Sequence, residues 1–142
     1  MLGWLRRGQL RSLIRDQRGE MAEAAVTLPV VMLATLALVN LTIAGFASVN
    51  AANAANYGAR IGSVNQENPA GVAAAAARQM LGNAPVGEYG VAASGGGPPG
   101  ALLAVSVKWT VPNYFNGLLA LFGADIGEFS GTTVAYFRQE GW

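Results

Sequence analysis

The sequence predicts an α+β protein with one long N-terminal helix, apolar enough over its first half to cross a bilayer, and a small C-terminal α/β head. Three observations predict it. From Ala24 to Ala59 there is no Asp, Glu, Lys or Arg. Beyond that run the chain is punctuated by Asn68-Pro69 and by the Gly/Pro-rich "SGGGPPG". The last third changes character again and becomes β-branched and aromatic, in "ALLAVSVKWTVP" and "GEFSGTTVAYFRQE".

The helix comes first. Its most apolar part, residues 24–46, is long enough to cross a bilayer core at about 1.5 Å of rise per residue. Thr27, Thr35, Asn40 and Thr42 make it less apolar than an ordinary anchor. Pro29 removes one backbone hydrogen bond and predicts a kink about two turns in. The Ala- and Asn-rich "ASVNAANAANYGARIGSVNQ" has no strand alternation and favours helix, so the helix is expected to run on to about Ser63 within a helical segment over 20–66. Ala44/Ser48 and Ala51/Ala55 give small-xxx-small spacings that suit close packing against other helices. Asn40 is expected either to hydrogen-bond across helices or to cap its own turn.

The head, residues 67–142, opens with Asn68 as an N-cap and Pro69 at the first helical position. That helix, Ala70 to Leu81, stops at Gly82. Residues 83–100 read as a mobile Gly/Pro-rich loop. Alternation from Leu103 to Trp109 reads as a strand closed by Pro112. "NYFNGLLALFG" reads as a short helix ending at Gly123, and "GEFSGTTVAYFRQE" as a second strand, at a separation that permits an antiparallel pair with the helix inserted between them. Trp109, Tyr114, Phe115, Phe122, Phe129, Tyr136 and Phe137 are expected to form the core of this module.

Composition narrows function. With 52% hydrophobic and only 12% charged residues, the chain is oily for a soluble protein of 142 residues. It contains no Cys and no His, which removes thiol chemistry, imidazole acid–base work and the commonest zinc ligands. Residues 1–19 carry five arginines against Asp16 alone, whereas residues 20–142 carry four basic groups against seven acidic ones. A basic surface on the folded part is therefore not expected, and nucleic acid is not an expected partner. The basic flank places the N-terminus on the cytoplasmic side and the head outside.

No catalytic spacing emerges. Glu67, Glu88, Asp125 and Glu128 are scattered among turn signals, and the Asp125/Glu128 pair does not resemble a calcium loop. "SGGGPPG" lacks the lysine and the following helix of a phosphate loop. "LRRGQLRSL" has two arginines but not the rest of a twin-arginine signal. The expectation is a non-enzymatic protein with no cofactor and no metal.

The stretch "RDQRGEMAEAAVTLPVV" sets a problem, because Glu20 and Glu23 stand at the mouth of the apolar run. A cleaved secretory signal, with small residues offered near Ala47–Ala55, and an uncleaved signal anchor both account for the apolar run. Neither accounts for the glutamates. Both carboxylates also read as solvated interfacial groups near a helix N-terminus, where the macrodipole favours them.

A basic tail, a glycine, a carboxylate and an unbroken apolar helix resemble the leader of type IV pilin-like proteins. More narrowly, Arg18-Gly19, Glu23 and Leu28-Pro29 resemble the signature of the TadE-like minor pilins, or pseudopilins, of tight-adherence pilus systems. Glu23 is the fourth residue after Gly19 where that family's glutamate is usually the fifth, and Ala24 stands where an aromatic usually follows. The valine-rich strand, the "FNGLLALFG" helix and the last strand ending Tyr-Phe-Arg-Gln-Glu are also similar to that family, whereas the middle of the chain is unspecific.

The resemblance implies a pilin-like fold in which residues 1–19 are a basic prepilin leader. It implies cleavage between Gly19 and Glu20 by a prepilin peptidase on the cytoplasmic face. It further implies lodging in the inner membrane, other pilin subunits and an inner-membrane assembly platform as partners besides membrane lipid, and an extracellular pilus as destination. Glu23 would pair the N-terminal amine of a neighbouring subunit, since Glu20 would itself carry that amine. A single-pass anchored extracytoplasmic adaptor that never polymerises and a secreted binding module are the alternatives.

Overall fold

The computed structural model describes residues 5–141 apart from 121, 122, 124 and 125, with side chains described at 19 and, within that range, from 21 onward. Glu20, Phe122, Asp125 and Trp142, and the leader's arginines, therefore have side chains outside the described residues. In chain order the elements are α1 (Leu5–Ser63), α2 (Pro69–Leu81), β1 (Glu88–Gly95), β2 (Leu102–Val111), α3 (Asn116–Leu119) and β3 (Phe129–Arg138). They divide into two compact units, Met1–Leu38 and Val39–Trp142.

The first unit is helix. Side chains from Met21 to Leu38 are exposed in every direction, with only Leu36 half-buried. The helix passes through Pro29, which leaves the carbonyl of Ala25 without its ladder donor.

The second unit is a three-stranded sheet with the C-terminal part of α1 and all of α2 on one face. The helix ends fall where the local chemistry places them. Asn68 caps α2 by accepting from the Gly71 N–H at 3.0 Å, with Pro69 at the first helical position. Helices α1 and α2 approach closely because the facing positions are Gly and Ala. A Cβ placed on Gly58 would stand 2.5 Å from the Ala73 carbonyl oxygen, and one on Gly62 would stand 2.6 Å from the Ala73 Cβ. Ala51, Ala54, Ala55 and Ala59 join Ala73, Ala77 and Leu81 in the core.

The sheet order is β1-β2-β3 with both pairings antiparallel. The registers align Ala93 with Val105 and Val105 with Ala135. Period-two alternation buries Leu103, Val105, Val107 and Val111 of the central strand against the helices. Trp109 shares that face, and its ring lies across Gly131 of β3, where an added Cβ would come within 2.6 Å of it.

Two sequence expectations are corrected here. Residues 83–100 are not a mobile loop: Glu88–Gly95 form β1, an edge strand that turns Tyr89, Val91 and Ala93 inward. Its small residues conceal the alternation. The following turn is bonded in place, from Gly96 N–H to the Leu102 carbonyl at 3.0 Å and from Gly100 N–H to the Gln139 carbonyl at 2.8 Å. Gly95 takes φ +87° to enter it, a conformation open to glycine at no steric cost.

The second correction concerns the core, which is built from Ala, Val and Leu rather than from aromatics. Among the described aromatics of that set, Tyr114, Phe129 and Tyr136 are exposed, whereas Trp109 and Phe137 pack against the buried cluster beside Tyr89. Tyr136 falls on the outer face by strand parity, since it pairs with Ala104 rather than with the inward-facing Leu103 or Val105.

Candidate functional site

The apolar part of α1 is the feature with functional content. Met21–Ser63 is the one helix among the described residues long and apolar enough to cross a membrane. A core helix of a soluble protein would bury such a run. Here Val26, Leu28, Val30, Val31, Met32 and Leu33 are all exposed. Two of its threonines are satisfied by their own helix. The Thr27 hydroxyl donates to the Glu23 carbonyl and the Thr35 hydroxyl to the Val31 carbonyl, each at 2.8 Å. Hydroxyls bonded to their own helix lose little on entering an apolar medium.

Gly19 is exposed within the helix, and a Cβ there would meet nothing within 4 Å. Glu23 is exposed, one turn farther on.

Asn40 does neither of the two things the sequence suggested. It is 3% exposed, and its side chain reaches the β2–β3 connection of its own chain. The Asn40 Nδ2 donates to Asn113 Oδ1 at 3.2 Å, and Asn40 Oδ1 accepts from the Tyr114 N–H at 3.1 Å. Asn113 Oδ1 also accepts from the Phe115 N–H at 3.0 Å. From Asn40 onward one face of α1 is covered by the head, so the stretch exposed all round is Met21–Val39, shorter at its C-terminal end than 24–46. Ala51 and Ala55 are fully buried within the same chain, with Ala44 and Ser48 half-buried. The faces of Ala51 and Ala55 are thus not open to a helix of another subunit.

Glu67, Glu88 and Glu128 are all exposed. No group of His, Cys, Asp and Glu suited to a metal ion occurs among the described residues. A shallow open groove lies between α2 and β1, lined by Arg78, Leu81, Gly82, Tyr89 and Val91. Its polar groups are turned to the backbone. Arg78 Nη2 donates to the Val91 carbonyl at 3.1 Å, and the Tyr89 hydroxyl to the Val86 carbonyl at 2.6 Å.

Sequence reasoning missed the asparagines of the β2–β3 connection. The signal was present, since a lone Asn in an apolar run and the Asn-rich "PNYFN" each need polar partners once buried. No family model matches the chain, and neither does any curated protein or solved structure.

Proposed function

We propose that this chain is a non-enzymatic structural subunit of pilin type, lodged in a membrane by α1 and assembled with other subunits through the exposed part of that helix. One observation carries the reading: apolar side chains cover α1 on every side from Met21 to Val39, with the carboxylate of Glu23 exposed among them. A surface of that kind is stable only against lipid or against other helices.

In this reading a prepilin peptidase cuts after Gly19, removes the arginine-rich leader and frees an α-amine on Glu20. Glu23 then lies at the edge of the apolar run. An unpaired carboxylate in the middle of a membrane helix costs on the order of 3 kcal/mol or more. A neighbour's amine beside it would neutralise both charges through a charge-assisted hydrogen bond. Subunits pair only if staggered along their helices, so one carboxylate sets both attraction and register. The partners are then other subunits of the filament, the peptidase and an inner-membrane assembly platform, with the head on the far side of the membrane.

Glu23→Ala tests this in cells. The variant is expected to insert and fold but not to enter filaments, as read by shearing and immunodetection. Assembly at the wild-type level would refute the pairing and favour a single-pass adaptor that does not polymerise.

A further inference from the structure

The open edge of β3 pairs with the same edge of a second copy: we infer that two heads join through one continuous antiparallel sheet. This surface belongs to the head unit alone, Val39–Trp142. Strand β3 is an outer strand in the order β1-β2-β3. The ladder fixes where its backbone groups point. The Gly96 N–H donates to the Leu102 carbonyl at 3.0 Å, so Leu102 turns its backbone groups toward β1. Alternation turns those of Leu103, Val105, Val107 and Trp109 toward β3, where they meet Phe137, Ala135, Thr133 and Gly131. Ser130, Thr132, Val134 and Tyr136 therefore point their N–H and C=O groups away from β2, into the open edge.

Sheet edges are ordinarily blocked against further pairing, and nearby groups of this head are. Arg78 Nη2 covers the Val91 carbonyl on β1 at 3.1 Å. Past the end of β3, the Glu140 N–H donates to the Ser63 carbonyl at 2.9 Å. From Phe129 to Phe137, by contrast, there is neither a charge nor a proline. Val134 is 41% and Tyr136 61% exposed there.

The sequence of the strand identifies the occupant. "EFSGTTVAYFR", Glu128 to Arg138, is self-complementary about Thr133. An antiparallel copy centred there sets Thr132 opposite Val134, Ser130 opposite Tyr136 and Glu128 opposite Arg138 as hydrogen-bonded pairs. Between them Thr133 meets its own copy, Gly131 meets Ala135 and Phe129 meets Phe137. Opposite charges thus close both ends, β-branched residues meet in the middle and aromatic residues pair between. Ser130, Thr132, Val134 and Tyr136 of the two chains exchange about eight hydrogen bonds. Glu128 and Arg138 are both exposed, so their pairing selects the register more than it adds affinity. Centring on Val134 would set Glu128 against Glu140, and centring on Thr132 would set Arg138 against Ile126. The pair is two-fold and closed, and so is a contact distinct from one that propagates a polar filament.

The chain has no cysteine, so engineered thiols report the register. Thr132 and Val134 are exposed. As a hydrogen-bonded pair their Cα atoms stand about 5.5 Å apart, within disulfide reach, whereas either residue and its own copy are about 8–9 Å apart, beyond it. Full-length Thr132→Cys and Val134→Cys, each with the near-ultraviolet circular dichroism of the wild type, are oxidised in detergent micelles alone and as an equimolar mixture. A several-fold higher yield of disulfide dimer in the mixture than in either alone is expected, with exposed Lys108→Cys on β2 giving the background. Arg138→Glu in both chains should lower that yield several-fold, and adding Glu128→Arg should restore it. A mixture that cross-links no better than Lys108→Cys overturns the pairing. Val134→Cys or Thr132→Cys cross-linking best to itself, or charge reversal without effect, overturns the register centred on Thr133 and the self-complementarity with it.

Discussion

Replacing Asn40 by Leu sets two consequences of the structure against each other. The change makes the apolar run of α1 more continuous, so membrane insertion should improve or stay level. The head should nevertheless lose stability. Asn40 is 3% exposed and makes two hydrogen bonds to the β2–β3 connection, at 3.2 and 3.1 Å. Each contributes about 1 kcal/mol net, and leaving the Tyr114 N–H without its acceptor adds a desolvation cost of about 1 kcal/mol or more. The sum is about 3 kcal/mol, which for a head of this size corresponds to a loss of roughly 12–24 °C in Tm.

Thermal unfolding of the full chain in detergent micelles, followed by near-ultraviolet circular dichroism, measures that loss. Hydrogen exchange at the Tyr114 amide localises it. Asn113→Ala should cost a similar amount, and the double variant should cost less than the sum because both changes break one network. If Asn40→Leu leaves Tm and Tyr114 protection unchanged, Asn40 is not anchored to the head, and the boundary of the span drawn at Val39 is wrong.

Further outcomes follow from packing and capping. Gly58→Ala should destabilise the head by about 1–2 kcal/mol, because overpacking against Ala73 and Ala77 outweighs the gain in helix propensity. Gly45→Ala, where nothing lies within 4 Å, should instead stabilise by up to about 1 kcal/mol, so denaturation of the two variants should shift in opposite directions. Asn68→Ala removes the cap on Gly71 and should cost about 1 kcal/mol by the same assay, with Asn68→Ser restoring most of it. Gly131→Val should displace the Trp109 ring and cost about 1–3 kcal/mol, visible as a change in tryptophan emission along with a lowered Tm.

Local chemistry made part of the fold readable in the sequence. The end of α1 at Ser63 and the start of α2 at Pro69 follow from breakers and a cap within a few residues of one another. The antiparallel pairing of β2 with β3 follows from alternation and β-branching. Strand β1 was not legible, because Gly90, Ala92, Ala93 and Ser94 carry too little side chain to show a period, and only its pairing with β2 makes it a strand. The core was misread for a related reason. Large aromatic residues attract attention, yet close approach at Gly58 and Gly62 brings the two helices together over a core of Ala, Val and Leu. The small residues Ala51 and Ala55 were legible as helix-packing positions, but whether the partner helix belongs to the same chain is a tertiary matter. In the structure it is α2 that lies over the same stretch of α1, with Ala73 and Ala77 against Gly58. Asn40 shows the same limit, since its partners lie 73 and 74 positions away in the chain.

The central claim is that α1 begins, in the mature protein, at the glutamate after Gly19. The N-terminal sequence and intact mass of the protein recovered from its native membrane test it most directly. A chain starting at Glu20 is the predicted result. A chain starting at Met1 would make α1 an ordinary anchor, and one starting near Ala51 would make it a discarded signal; either would contradict the account.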